Sequence, residues 1–166
     1  MIIVSDTSPI SNLILIDQLD ILRKLFTDVI IPPAVDKEIK ALKELGKDIH
    51  AYESAEWIKV SKPIDLYKVN ALQTRLDKGE AEAIALALEL KCDLLLMDER
   101  IGTQIAREQG LLTVGLVGVL IKAKEQNIID AIGPILTELK TTAGFWLGEN
   151  LERKIKEELD EGWHAT

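Results

Sequence analysis

The chain has 166 residues, of which 47% are hydrophobic and 29% are charged, so it can bury a sizeable core beneath a solvated surface and is not intrinsically disordered. Its net charge is −8 and its sequence pI is about 4.9, which excludes the overall basic character that most nucleic-acid-binding proteins have. Binding of RNA or DNA therefore requires a local source of positive charge, such as bound cations. The single cysteine, Cys92, excludes an internal disulfide and favours a cytoplasmic location, and neither a membrane span nor a signal peptide is expected.

Short apolar runs alternate with longer helical patterns along the chain, and no linker or repeat divides it. After the first apolar run, Ser8 and Pro9 predict the N-cap and the first position of a helix. The predicted elements in chain order are a strand at 1–4, a helix at 10–26 with a break near Asp17, a strand at 29–31, a helix at 34–45, a loop at 47–56, a strand at 57–60, helices at 63–76 and 77–91, a strand at 93–97, a helix at 99–109, a strand at 112–114, and helices up to about residue 160.

This alternation is typical of βαβ units, and it predicts the α/β class: a three-layer α/β/α fold with a central, mostly parallel sheet. We expect residues 1–166 to form a single domain, with residues 147–161 as a C-terminal helix. In such sheets the ligand site lies beyond the carboxyl ends of the strands. Asp6 follows the first predicted strand and Asp98 follows the fourth, so both are candidate site residues.

Two glutamates lie on the apolar faces of predicted helices. The helical period of about 3.6 residues places Glu38 in the same arc as Ile39, and Glu80 in the same arc as Ile84. Glu82 falls on the opposite, polar side of its helix and is expected to face solvent. The spacing therefore predicts that Glu38 and Glu80 point inward, where solvation does not explain a carboxylate.

Each of these acids also has a structural explanation when it is taken alone. Asp77 and Glu80 match a capping box, Asp98 could cap the following helix, and Asp6 could accept hydrogen bonds at its turn. Helix caps do not predict, however, that Glu38 and Glu80 both face inward. If the four acids converge, each pair repels by on the order of 3 kcal/mol at about 5 Å, so protons or cations must compensate. An all-oxygen ligand set without organised His or Cys favours Mg²⁺ or Mn²⁺.

The acids occur within segments that resemble a known family. Taken together and in this order, the segments make the chain resemble the PIN-domain nucleases, the fold of VapC-type toxins, and in particular a PIN-like prokaryotic branch of largely unassigned role. The resemblance covers nearly the whole chain. Its segments are Ser5–Pro9, Ile31–Ile39, Gly79–Ala87, Leu95–Arg100 and Gly115–Leu120.

The resemblance implies a metal-dependent endoribonuclease, a hydrolase that cleaves RNA phosphodiester bonds and leaves a 5′-phosphate and a 3′-hydroxyl. The catalytic and metal-binding residues it implies are Asp6, Glu38, Glu80 and Asp98, holding one or two Mg²⁺ or Mn²⁺ ions. The third acid is usually aspartate in VapC-type toxins, and Glu80 departs from that pattern by one methylene.

Four more residues around these acids are candidates, Ser8 from the resemblance and the other three from their positions in the chain. Ser8 corresponds to a small polar position that supports the first acid. Glu99 is either a second support or a partner of the helix dipole. Arg100 and Arg107 lie at neighbouring angles on the helix beside the site, where they either contact phosphate or are simply solvated.

Two other functions remain open at this point. One is a non-catalytic PIN-like binding module, which the acidic composition and the scarce aromatic residues favour. The other is a phosphoaspartyl phosphatase or receiver-type protein with Asp6 as the nucleophile, although Ser8 stands where such phosphatases have a second aspartate.

The C-terminal segment raises a question about partners. Its apolar residues recur every four positions among charged ones, and they are Leu147, Leu151, Ile155 and Leu159. This stripe either packs on its own domain or binds a partner, which would be a second copy in a homodimer or higher oligomer, or an antitoxin protein if the chain is the toxin of a toxin–antitoxin pair.

Overall fold

Five short strands form one parallel sheet, and helices cover both of its faces. The computed structural model describes residues 1–159. The strands lie in the order β3-β2-β1-β4-β5, and each neighbouring pair is parallel. Their bounds are β1 Ile3–Ser5, β2 Val29–Ile31, β3 Ile58–Val60, β4 Leu94–Leu96 and β5 Thr113–Val114. The predicted α/β/α architecture with a central parallel sheet is confirmed.

The helices connect these strands and extend beyond the last one. Their bounds are α1 Thr7–Leu15, α2 Asp20–Phe26, α3 Pro33–Glu44, α4 His50–Glu53, α5 Leu66–Leu72, α6 Lys78–Glu89, α7 Arg100–Glu108, α8 Leu116–Glu125, α9 Gly133–Thr142 and α10 Glu149–Leu159. Among these described helices, none is both long and apolar enough to cross a membrane.

Alternation along the strands divides the core into two parts. Ile3 packs with one apolar cluster, to which α1, α2, α8 and α9 contribute, whereas its neighbour Val4 packs with a second cluster built by α5, α6 and α7. Successive side chains of a strand point to opposite faces, so an uninterrupted apolar run is buried on both sides. This is why the short apolar runs in the sequence predict the strands well.

Several local predictions differ from the structure. Ser8 does not cap the first helix, because α1 begins at Thr7 and Asp6 occupies the N-cap position. The predicted loop at 47–56 contains the one-turn helix α4, and the helix predicted at 63–76 is shortened to α5. The break predicted near Asp17 is confirmed: α1 ends at Leu15, and Asp17 has a φ of 57°.

The C-terminal helix starts at Glu149 rather than at residue 147, and residues 160–161 of the predicted segment lie outside the described residues. Leu147 and Ile155 are 8% and 4% exposed and belong to the first apolar cluster, whereas Leu151 is 46% exposed. The α9 residue Lys140 also donates to Glu152, with Nζ and Oε1 2.7 Å apart. The helix is therefore packed on its own chain along part of the apolar stripe.

Candidate active site

The sheet topology positions two acids side by side. The chain moves outward from β1 to β2 and β3 and then returns to the other side of β1 with β4. Ligand sites of parallel sheets lie at such a switch point, outside the carboxyl ends of the strands. Asp6 leaves β1 and Asp98 follows β4, and the backbone amide of Asp6 donates to the carbonyl of Leu96, 2.9 Å away. The two acids that the strand pattern predicts therefore flank this point.

Asp6 is the most deeply buried of the candidate acids, with 4% of its surface exposed. Burial raises its pKa, the Thr7 amide lowers it by a hydrogen bond, and the charges of Asp77, Glu38 and Asp98 raise it further, to about 7. An ionised Asp6 is thus unfavourable next to its acidic neighbours at neutral pH.

Glu38 lies at the rim of the cleft. Thr7 donates through its hydroxyl to Oε2 of Glu38, at 2.6 Å, which joins the start of α1 to the first turns of α3. Partial burial of the carboxyl group raises its pKa, the Thr7 hydroxyl lowers it, and the charges of Asp77 and Glu82 raise it. The residue as a whole is exposed, so the prediction that Glu38 is turned into the apolar face is wrong: its side chain reaches back towards the N-terminus of α3 and the edge of the sheet.

Gly79 allows this position of Glu38. A Cβ atom at residue 79 would lie 2.4 Å from Oε1 of Glu38, so any side chain there would displace the carboxylate. The absence of a side chain at the second residue of α6 is thus a condition for the arrangement of the cleft.

Glu80 is 9% exposed and belongs to a capping box. Its amide donates to Oδ1 of Asp77 at 2.8 Å, and Oε1 of Glu80 accepts from the Asp77 amide at 3.4 Å. As a carboxylate, its Oε2 is buried with no hydrogen-bond partner in the described part of the chain. Burial, followed by hydrogen bonds with the Asp77 and Glu99 carboxyl groups, raises the pKa of Glu80 to about 9. Glu80 therefore belongs to the capping box of α6 and also lines the cleft, and its metal-binding role stays a prediction.

Asp98 is held at the start of α8. The amide of Leu116 donates to its Oδ1 at 2.9 Å, and a Cβ at residue 115 would lie 2.6 Å from the same oxygen, so a glycine is required there. Its second oxygen, Oδ2, is buried without a partner among residues 1–159. Burial raises the pKa of Asp98, and the Leu116 amide partly opposes the rise. The alternative interpretation, that Asp98 caps the following helix, is wrong because Glu99 occupies the N-cap position of α7.

Glu99 is the residue that caps α7. Its carboxylate accepts hydrogen bonds from the amides of Ile101 and Gly102. Burial raises the pKa of Glu99, but these amides and the hydrogen bond with Glu80 outweigh burial and leave the pKa below its ordinary value. Glu99 is thus the ionised neighbour of Glu80, and both predicted roles, helix partner and support of the site, agree with its position.

One cleft of about 250 Å³ contains most of the predicted residues. Asp98 lies outside its lining but close enough for its charge to affect Asp6. The sequence analysis did not identify Thr7 as a site residue, although Thr7 lies within the Ser5–Pro9 segment of the resemblance. It treated Asp77 only as a helix cap, although its partner in the capping box is the site candidate Glu80. The lining residues are Asp6, Thr7, Ser8, Ser11, Glu38, Asp77, Glu80 and Glu99.

Ser8 lines the cleft without bonding to Asp6. Its hydroxyl accepts from Nδ2 of Asn12 at 3.1 Å, and its carbonyl accepts from the Ser11 hydroxyl. The neighbour Thr7 instead supports Asp6 through its amide, which is the role predicted for Ser8, and its hydroxyl also donates to Glu38.

The prediction that Glu82 faces solvent is wrong. Glu82 is 8% exposed, and its Oε1 accepts from the amide of Ala34, at 3.1 Å, at the start of α3. The prediction assumed that α6 has one wet side, but residues Gly79–Ala87 are all buried because α3, α5 and the sheet surround the helix. A carboxylate can occupy this buried position because it meets the N-terminus of a helix.

The two predicted arginines line a separate cavity next to Asp98. This cavity has a volume of about 690 Å³ and extends along α7, where Thr103, Gln104 and Glu108 complete its lining. Nε of Arg107 donates to the hydroxyl of Thr113 at 2.8 Å, and Arg100 is exposed.

The residues of the cleft fit a divalent cation in their chemistry. Their side chains offer only oxygen ligands, carboxylates and hydroxyls, and ionisation of Asp6, Glu38, Glu80 and Asp98 is opposed in every case. Within residues 1–159, however, no three His, Cys, Asp or Glu side chains already surround one point at chelating distance. Cation binding would therefore require these side chains to rotate away from their present hydrogen bonds.

The fold and the site together define the chain as a parallel α/β protein with an acidic cleft at the carboxyl edge of its sheet. The model of the DUF3368 family, a PIN domain, matches residues 2–161, so the chain belongs to this PIN-domain family. This confirms the resemblance seen in the sequence motifs and makes the fold a nuclease-type fold that generally operates with divalent metals. No curated protein matches the chain.

Proposed function

We propose that the protein is a metal-dependent endoribonuclease that hydrolyses RNA phosphodiester bonds with Asp6, Glu38, Glu80 and Asp98 as its catalytic and metal-binding residues. The observation that carries the proposal is the buried Oδ2 of Asp98, which has no hydrogen-bond partner among residues 1–159, beside an Asp6 whose pKa is raised to about 7. Buried polar atoms normally have partners, and such exceptions are frequent at functional sites.

The surrounding residues hold these acids together at the edge of the sheet, and cation binding requires the acids to turn away from some of these contacts. Thr7 orients Glu38, the capping box with Asp77 orients Glu80, and the Leu116 amide orients Asp98. When bound, Mg²⁺ or Mn²⁺ would offset the like charges, attract phosphate oxygens and activate a water molecule for attack on phosphorus. No protein nucleophile is required for this chemistry.

Arg100 and Arg107 are proposed to contact RNA phosphates next to the scissile bond. Both line the cavity that adjoins Asp98, and guanidinium groups match phosphate geometry well. They supply the local positive charge that a chain with a net charge of −8 otherwise lacks.

The test is cleavage of a mixed single-stranded RNA pool by the purified protein with Mg²⁺ or Mn²⁺ and with a chelator. We expect cleavage only with metal, products with 3′-hydroxyl ends, and loss of activity in Asp6→Asn and Glu38→Gln. Glu44→Gln is the matched control for Glu38→Gln, because Glu44 is an exposed glutamate at the other end of α3. Metal-independent cleavage or products with cyclic phosphate ends would indicate a contaminating ribonuclease and contradict the proposal.

A non-catalytic binding module is the second candidate. The observation that favours it is that the acids in the described part of the chain do not already form a chelating group of three. In that case the protein binds RNA or a protein partner, and no cleavage appears under any metal condition although the protein is folded.

We further propose that the protein is the toxin of a toxin–antitoxin pair and that it acts in the cytoplasm as a homodimer or higher oligomer. It is supported by the motif likeness to VapC-type toxins, by the single cysteine, and by the exposed Leu151 on α10 as a possible partner contact. Growth arrest on expression of the wild-type chain, absent with Asp6→Asn, tests the toxin role, and light scattering of the purified protein tests the oligomer.

A further inference from the structure

Three cavities lie in a row along the carboxyl edge of the sheet. The first, of about 320 Å³, lies where α3 leaves β2, the second is the acidic cleft beyond β1, and the third is the cavity of α7 beyond β4. Glu38 lines both the first and the second, and the consecutive residues Asp98 and Glu99 connect the second with the third. Because the strands are ordered β2-β1-β4, the three cavities follow one another across the strand ends.

The first cavity contains two lysines that the proposed function has not used. Lys37 on α3 and Lys78 on α6 line it together with Pro33, Ala34 and the two glutamates Glu38 and Glu82. Both lysines are exposed, and neither side chain forms an ion pair or hydrogen bond within residues 1–159.

The two glutamates in this cavity are already engaged. Glu38 accepts from Thr7, and Glu82 accepts from the α3 amide of Ala34. The ammonium groups of Lys37 and Lys78 are therefore available to an external anion, on the opposite side of the acids from Arg100 and Arg107.

We propose that a single RNA strand crosses the site along this path, with Lys37 and Lys78 binding phosphates on one side of the scissile bond and Arg100 and Arg107 binding phosphates on the other. The inference rests on the proposed function and deepens it, because it names the path of the substrate and the residues that hold it. The lysine pair and the arginine pair lie on either side of the acids, so a strand bound by both pairs has its scissile phosphate over the acids. Both ends of the path stay open to the rest of the strand.

The burial of two of the acids favours a single strand as the ligand. Asp6 is 4% exposed and Glu80 is 9% exposed, at the bottom of a cleft of about 250 Å³. A lone strand can bend one phosphate down to such groups, whereas a duplex keeps its phosphates on a stiff cylinder. Grooves that bind single strands commonly follow the backbone with cationic side chains.

The experiment measures binding of a fluorescent oligouridylate, in Mg²⁺, to an uncleaving Asp6→Asn background. Two double variants remove either Lys37 and Lys78 or Arg100 and Arg107 by substitution with alanine. The control variant is Lys24→Ala with Lys47→Ala, which also removes two positive charges. Lys24 lies just before β2 and Lys47 lies beyond the far end of α3, so both are at the opposite edge of the sheet.

We expect each site variant to weaken binding and to reduce the slope of log affinity against log salt by roughly 1.4, since each phosphate contact on a single strand contributes about 0.7. The control should leave the slope unchanged, and a blunt RNA duplex should show no dependence on either pair. A Lys37→Ala, Lys78→Ala protein that binds like the control, or equal losses for strand and duplex, would overturn the proposed path.

Failure of the path and failure of the ribonuclease proposal give different results. If the wild type cleaves RNA but the lysine variant binds like the control, the path is wrong and the activity stands. If both pairs affect binding but the wild type never cleaves, the path is supported and the ribonuclease proposal is contradicted.

Discussion

Replacement of Asp6 by asparagine should stabilise the metal-free protein at alkaline pH. The substitution keeps the shape of the side chain and its ability to accept from the Thr7 amide, but it removes a buried negative charge next to Asp77, Glu38 and Asp98. If Asp6 has the proposed catalytic role, its charge lowers stability in the way that is common for residues of functional sites.

The magnitude follows from the pKa of Asp6. A rise from 3.8 to about 7 makes ionisation in the folded protein less favourable by about 4 kcal/mol. The new amide N–H of asparagine loses about 1–3 kcal/mol of this if it remains unpaired. The net gain for Asp6→Asn is therefore about 1–3 kcal/mol, or roughly 3–10 °C in Tm for a chain of this length.

The sign of the pH dependence is also determined. Because the folded protein binds the Asp6 proton more tightly than the unfolded chain, the stabilising contribution of that proton is complete below pH 3.8 and is lost as the pH rises through about 7. The wild type retains this proton at about pH 5, so the advantage of Asp6→Asn should fall by roughly 3 kcal/mol between about pH 8 and pH 5 and disappear.

The assay is thermal unfolding in chelator at the two pH values, followed by addition of Mg²⁺ or Mn²⁺. The cation should raise the Tm of the wild type at about pH 8 and have a smaller effect on Asp6→Asn. Asp130→Asn, which removes an exposed carboxylate, is the matched control and should change little at either pH. If Asp6→Asn is less stable than the wild type at both pH values, the like-charge argument for the cleft is refuted.

Three further substitutions test the geometry. Gly79→Ala should reduce RNA cleavage by displacing the Glu38 carboxylate, while the helix gains about 0.5–1 kcal/mol in chemical unfolding; a fully active variant would contradict the role of Gly79. Glu82→Ala should destabilise the fold by about 1–3 kcal/mol by leaving an amide at the start of α3 unpaired, and Glu82→Gln, which keeps an acceptor, should be close to wild type; equal losses would argue against that hydrogen bond. Ile155→Ala should cost about 2–4 kcal/mol if α10 is packed on its own chain, whereas Leu151→Ala should cost less than about 1 kcal/mol in the same measurement; similar small losses would show that α10 contributes little to the fold.

Helix caps and site residues coincide in this protein. Asp77 caps α6, Glu99 caps α7, and Asp6 occupies the N-cap position of α1, and all three line the same cleft. In a parallel sheet the helices begin where the strands end, so their free N-terminal amides gather at the edge that also binds ligands. An acid at this edge can therefore accept from an amide with one oxygen and keep its second oxygen unpartnered, as Asp98 does within residues 1–159.

The sequence by itself determined the α/β class, the positions of the five strands and the placement of Asp6 and Asp98, because an apolar run buried on both faces of a sheet has a local pattern and its last residue marks the edge. It also determined the inward position of Glu80, which follows from the spacing within one helix. The catalytic and metal-binding roles of these residues stay predictions.

Only the tertiary structure decided what surrounds each helix. Helical spacing assumes a single buried side, so it put Glu82 in solvent although α3 buries it, and it put Glu38 in the core although the Thr7 hydroxyl holds it at the rim. The sequence likewise gives no sign that Lys37 and Lys78 line one cavity, because that cavity forms only when α3 packs on α6. Local periodicity reports which side of an element is apolar, whereas contacts between distant elements depend on packing that no short segment encodes.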